Sequence, residues 1–223
     1  MNTQPKSIPI IVIYILTSII LPYPIAMGLM LLSKNGLIPS LPENVIALYI
    51  NMFIYFFLPL FSIIYYHKKI AMDIQGIGQL LAMVIPLILM VYGASIIGGI
   101  FIQQIDHSST TTNQTYLNHL KDTNFYFTTY MAVIAAPITE ESVFRCAMIK
   151  NRKGFAGICM ILISSALFAL AHTVEFALGA FLAYFFIALV LGGLYMNRQN
   201  LILNILVHAG YNTLALILSY FTG

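Results

Sequence analysis

The stretch APITEESVFRC, residues 136–146, sets two carboxylates and a guanidinium inside an apolar run from Phe125 to Ile149. Each such group costs about 2.5 to 3.5 kcal/mol at the centre of a bilayer, so three of them close together need a use. Glu141 and Arg145 are four apart, share one helix face and can pair, which offsets much of the cost of burying both. Glu140 points about 100° away from Glu141 on an α-helix and is left without a partner on its own helix, as a carboxylate able to take or give a proton. Two later segments add polar groups. FALAH places His172 one turn after Phe168, and HAGYN places His208 and Asn212 four apart on one face. A Glu, two His and an Asn on three segments supply a base for water, a proton carrier and hydrogen-bond donors for an oxyanion, the requirements of peptide hydrolysis. The competing reading for Glu141 and Arg145 is a structural ion network, and for either histidine alone a satisfied structural residue.

Other reactive groups fit the chemistry less well. Cys146 follows Arg145 in sequence but points elsewhere on a helix, so the guanidinium is not placed to activate its thiol and it reads as packing. Glu175 lies three residues after His172, where the chain leaves the apolar run, and reads as a solvated end-of-helix carboxylate.

The elements that position these groups must cross a membrane. The chain of 223 residues is 60% hydrophobic and 8% charged, with a mean hydropathy of +0.91, whereas soluble domains carry about 25% charged residues. The net charge of +3 comes from Lys and Arg in short links, without a basic stripe for nucleic acid. Cys146 and Cys159 make neither a metal-finger pair nor a disulfide framework. Apolar runs of spanning length cover Ser7 to Ser33, Asn44 to Tyr66, Ile74 to Ile102, about Phe125 to Ile149, Phe155 to Thr173, Phe176 to Asn197 and Leu201 to Tyr220. The fold expected is an all-α, polytopic transmembrane bundle of about seven spans, seven or eight. It reads as a single membrane-embedded domain over 1–223 with the motif-bearing core at about 125–220. The first run reads as a retained span rather than a cleaved signal. Lys6, Lys68, Lys69, Lys150, Arg152, Lys153 and Arg198 fall on one side and Lys34 and Lys121 on the other, which predicts a cytoplasmic N-terminus and an extracytoplasmic 103–124 loop.

Taken in order, Glu140-Glu141-x-x-x-Arg145, Phe168-x-x-x-His172 and His208-x-x-x-Asn212 resemble the three motifs of the CAAX protease and bacteriocin-processing family of intramembrane proteases. The resemblance covers residues 136–212. It implies that Glu140 with His172 activates a water, that His208 and Asn212 stabilise the oxyanion, and that Glu141, Arg145 and Phe168 support the site. It also implies a membrane-associated peptide or protein substrate in a bacterial plasma membrane, and functions in bacteriocin or pheromone processing or in self-immunity. Cys146 stands where members of the family often carry glycine.

Three alternatives stay open at this level. Two His and a Glu are a ligand set used by catalytic zinc, but His172 and His208 sit on different spans and only tertiary packing could join them, so a metal-free glutamate mechanism is expected. A transporter or proton relay would more often show paired inverted halves, and a non-catalytic membrane scaffold would not need all three motifs. Depth raises a difficulty. At ~1.5 Å per residue Glu140 and His208 lie about 10 and 8 residues from the cytoplasmic side, but His172 about 17, so either the 150–159 stretch runs along the interface or its helix is strongly tilted.

Overall fold

The computed structural model describes residues 7–39, 43–67, 77–173 and 175–222; Lys6, Lys68 and Lys69 of the charge count, and Ile74 at the start of the third run, lie outside them. Among the described residues all regular structure is helical. Six helical stretches are long and apolar enough to cross a membrane: Ser7–Lys34, Leu48–Tyr66, Gly78–Ile105, Gly154–His172, Leu178–Arg198 and Leu201–Phe221. A seventh crossing is assembled from α6 (Phe125–Tyr130), α7 (Ala136–Glu140) and two stretches of wider i→i+5 turn, Met131–Ala135 and Glu141–Ala147. The protein is a multi-pass membrane bundle, as its composition predicts. Its outward faces carry Phe53, Phe56, Ile97 and Leu170, all largely exposed and suited to lipid.

The first span bends at its own wide turn: α1 (Ser7–Ile15) passes through Leu16–Ile20 into α2 (Pro22–Lys34), and Pro22 at the first helical position explains why α2 restarts there. Helices α3 (Glu43–Tyr66) and α4 (Ile77–Ile105) keep Pro59 and Pro86 inside them. The centre of the bundle is α9 (Leu178–Arg198), packed most closely on α4 and on α8 (Gly154–His172). Small residues make this possible. A Cβ on Gly98 of α4 would come within 2.7 Å of Ala183 on α9, so glycine is what lets these backbones meet. At the end of α4, Asp106 accepts hydrogen bonds from the backbone N–H groups of Gly179 and Ala180, at 2.9 and 2.7 Å, and so caps α9 from a neighbouring helix.

Two expectations are refined. The 103–124 segment contains a helix, α5 (Thr112–Thr123), started by Thr111, whose hydroxyl accepts from Gln114 N–H at 3.0 Å. Residues 154–159 are the first turns of one unbroken α8, not a separate interfacial segment, so the extra length before His172 lies within that helix.

Candidate active site

Glu140 ends α7, between the two wide-turn stretches. Pro137 lacks the N–H that would continue an α-ladder, and beyond Glu141 the bonds run five residues back, from Met148 N–H to Val143 O at 3.2 Å and from Lys150 N–H to Arg145 O at 3.2 Å. Ser164 of α8 donates to Phe144 O and ties the wide turn to its neighbour. On a regular helix adjacent residues diverge by about 100°. Here both Glu140 and Glu141 are buried, and each meets its own set of partners.

Glu140 faces two histidines. Its Oε1 lies 3.6 Å from His172 Nε2 at the end of α8, and its Oε2 lies 3.9 Å from His208 Nε2 on α10 (Leu201–Thr222). His172 Nδ1 is 2.9 Å from Phe168 O, and because a carbonyl only accepts, Nδ1 carries a hydrogen. His208 Nδ1 is 2.8 Å from Glu141 Oε1, which fixes that ring in the same way.

Glu141 is fully enclosed and heavily partnered. Arg145 Nε stands 3.3 Å from its Oε2, and Asn204 Nδ2 donates to the same oxygen at 3.1 Å and to Leu191 O at 2.8 Å. Residues four apart stay neighbours in the wide turn, so the expected Glu141 and Arg145 pair forms. The guanidinium also lies 4.7 Å above the Phe168 ring, whose centre is 4.2 Å from that of His172 at an interplanar angle of 21°. Phe168 is thus stacked between Arg145 and His172, which gives the motif phenylalanine a physical task.

These groups open onto a cavity of about 210 Å³ with Glu140, His172, His208 and Asn212 in its wall and Asn113 and Gln114 of α5 above them. Asn212 Nδ2 donates to Ala132 O at 2.7 Å, so one amide hydrogen braces the first wide turn and the other is left to the cavity. Tyr184 of α9 packs 5.0 Å from His172, and its hydroxyl meets Thr111 Oγ1 at 3.0 Å and Asn113 Nδ2 at 3.2 Å. All the sequence-derived site residues therefore converge: Glu140, Phe168, His172, His208 and Asn212 around the cavity, with Glu141 and Arg145 behind them. Cys146 is buried in an apolar cluster outside the cavity wall, and Glu175 is exposed.

Sequence reasoning missed Asn204, Tyr184 and α5. Asn204 had a signal, because Asn204, His208 and Asn212 form a polar stripe at four-residue spacing. Helix α5 had one too, in the Thr111-x-x-Gln114 cap pattern. Tyr184 had none, as tyrosine is ordinary in a membrane span. As for zinc, among the described residues no three His, Cys, Asp or Glu side chains are grouped closely enough to hold a metal ion.

Residues 122–214 match the family described as Type II CAAX prenyl endopeptidase Rce1-like, a range that spans all three motifs. The UPF0177 protein YvdC of Lactococcus lactis subsp. lactis (strain IL1403) is 36% identical over 129 residues, which are 56% of this chain and 48% of that protein. The chain thus matches about half the length of this curated relative. No solved structure matches it.

Proposed function

We propose that the chain, whose residues 122–214 match the family described as Type II CAAX prenyl endopeptidase Rce1-like, is an intramembrane endopeptidase in which Glu140 activates water. The observation that carries this reading is Glu140 set against two histidines whose Nδ1 atoms are held elsewhere, His172 by Phe168 O and His208 by Glu141. Separations of 3.6 and 3.9 Å are beyond direct hydrogen bonding and suit a bridging water. Glu140, with His172 beside it, accepts a proton from that water as its oxygen attacks the scissile carbonyl carbon. The carbonyl oxygen, now negative, accepts hydrogen bonds from Asn212 Nδ2 and from His208. His208 donates from Nε2 only as an imidazolium, and Glu141 is placed to balance that charge. The proton held by Glu140 passes to the amide nitrogen, the C–N bond breaks, and a carboxylic acid and an amine leave.

The substrate proposed is a membrane-associated or secreted peptide precursor, and the setting a bacterial plasma membrane. The carboxamides of Asn113 and Gln114 above the catalytic groups favour a peptide, because each offers a donor and an acceptor to a main chain. The test is a comparison of membrane and secreted peptides from cells lacking the protein, from cells given it back, and from cells given Glu140→Gln. Uncleaved precursor should accumulate in the first and third alone. Identical peptide profiles in all three, with the protein present, would refute the reading and favour a scaffold.

A further inference from the structure

A second cavity, of about 150 Å³, adjoins the first at Glu140. Tyr14, Tyr55, Ala136, Glu140 and Ala171 line both cavities, and the second continues past them to Ser18 in the bend of the first span, Leu58 of α3 and Thr139. The first cavity is the one that α5 covers; Asn113, Gln114 and the oxyanion group Asn212 line it and not the second. Two residues that line the second carry a buried polar atom without a hydrogen-bond partner among the described residues: Thr139, 3% exposed, at Oγ1, and Glu140, 7% exposed, at Oε2. Buried polar groups are nearly always satisfied, and when protein does not do it ordered water does. The ligand chemistry is therefore small, neutral and able both to donate and to accept.

We infer that this second cavity is a water store that feeds Glu140 from beside Thr139 and Ser18, away from the α5-covered cavity that takes the peptide. The volume holds several waters at ~30 Å³ each, and Ser18, Thr139 and Glu140 anchor a cluster whose members complete their two to four polar partners with one another. The function follows from stoichiometry. Each hydrolysis consumes one water, and a peptide filling the α5-covered cavity closes that side to solvent. Water that reaches Glu140 past Thr139 and Ser18 does not compete with the substrate for space. This inference rests on Glu140 being the group that activates water, but the presence of water beside Thr139 is measurable without any cleavage.

The experiment uses the full chain in lipid bilayers. Solid-state NMR follows magnetisation passing from water protons to methyl groups. The Thr139 methyl should polarise as fast as that of exposed Thr123, Ile149 in the core should lag, and Ser18→Leu, which fills the cavity, should slow Thr139. Thr139 polarising as slowly as Ile149 overturns the inference, whatever the enzyme does. With a cleaved peptide in hand, isosteric Thr139→Val should lower kcat about tenfold, one hydrogen bond's worth at 1.36 kcal/mol per decade, with KM unchanged and activity retained in Thr139→Ser. A rise in KM at constant kcat would assign the cavity to substrate and also overturn it. A wet Thr139 in a protein that cleaves nothing would keep the water site while removing the proposed protease activity.

Discussion

Glu141 Oε1 lies 2.8 Å from His208 Nδ1, so the carboxylate that neutralises Arg145 also sets the ring orientation of a histidine facing Glu140. Adjacent carboxylates therefore do separate work. Glu140→Gln should give normal abundance and no peptide cleavage, since it disturbs neither Arg145 nor Asn204. Glu141→Gln should lose activity and stability together, because it leaves Arg145 as a buried cation without its counter-charge, a loss of about 3 to 5 kcal/mol. Melting temperature and cleavage on the same purified samples decide this, and equal melting of the two variants would contradict it.

Arg145→Ala should lower abundance as well as activity. Its effect should sit at the lower end of the buried-pair range, about 3 kcal/mol, because Glu141 keeps the donors from His208 and Asn204. Arg145→Lys should rescue only in part, since a point-charge ammonium cannot lie flat on Phe168 as the guanidinium does. Full rescue by lysine would show that charge alone matters there.

For Asn212→Ala, two losses are expected. Removing one oxyanion donor lowers the rate about 10² to 10³ and leaves a residue of activity. Freeing Ala132 O costs about 1 kcal/mol of stability. Glu140→Ala should leave no activity at all, so cleavage assays on both variants rank the two roles, and equal residual rates would remove the distinction.

Metal content, measured beside cleavage on one detergent-purified sample, tests the glutamate mechanism against zinc. Active protein without stoichiometric metal is the expected result. If instead zinc is present at one per chain, disappears in His172→Ala and His208→Ala, and restores activity to stripped protein, the metal mechanism replaces this one.

Asp106→Ala should destabilise the bundle by about 1 kcal/mol through loss of the cap on α9, read as a lower melting temperature. Asp106→Asn, which keeps an acceptor oxygen, should recover part of it. No change in either variant would show that the cap contributes nothing measurable.

Charged and hydrogen-bonding side chains within apolar runs were the most legible part of the sequence. Glu140, His172 and His208 stand out because burial of such groups is costly, and their convergence needed only that the spans pack together. The spans themselves were readable from length and hydropathy, down to the one that the structure divides into short pieces. What was hidden depended on backbone detail or on ordinary residue types. The Glu141 and Arg145 pair was legible from its four-residue spacing, but the contact of Glu141 with His208 depends on how α10 packs on the wide turn at 141–147, which no residue pattern announces apart from Pro137 upstream. Tyr184 acquires its role only because α5 folds over the cavity and offers Thr111 and Asn113 to its hydroxyl.

The wide turn at Met131–Ala135 makes this span sensitive to its own residue count. An i→i+5 turn accommodates one residue more than the α-ladder around it, so it behaves as a built-in insertion. Deleting a single residue there would let the ladder close as an ordinary α-helix and would look benign by hydropathy. Five residues in the wide turn sweep about the angle that four sweep in an α-helix, so the deletion would keep α6 and α7 in phase, whereas one further inserted residue would rotate them by about 100° and part Asn212 from Ala132 O. The span thus carries a phase as well as a length, and an alanine inserted or removed between 131 and 135 reports on it more directly than any exchange of side chains.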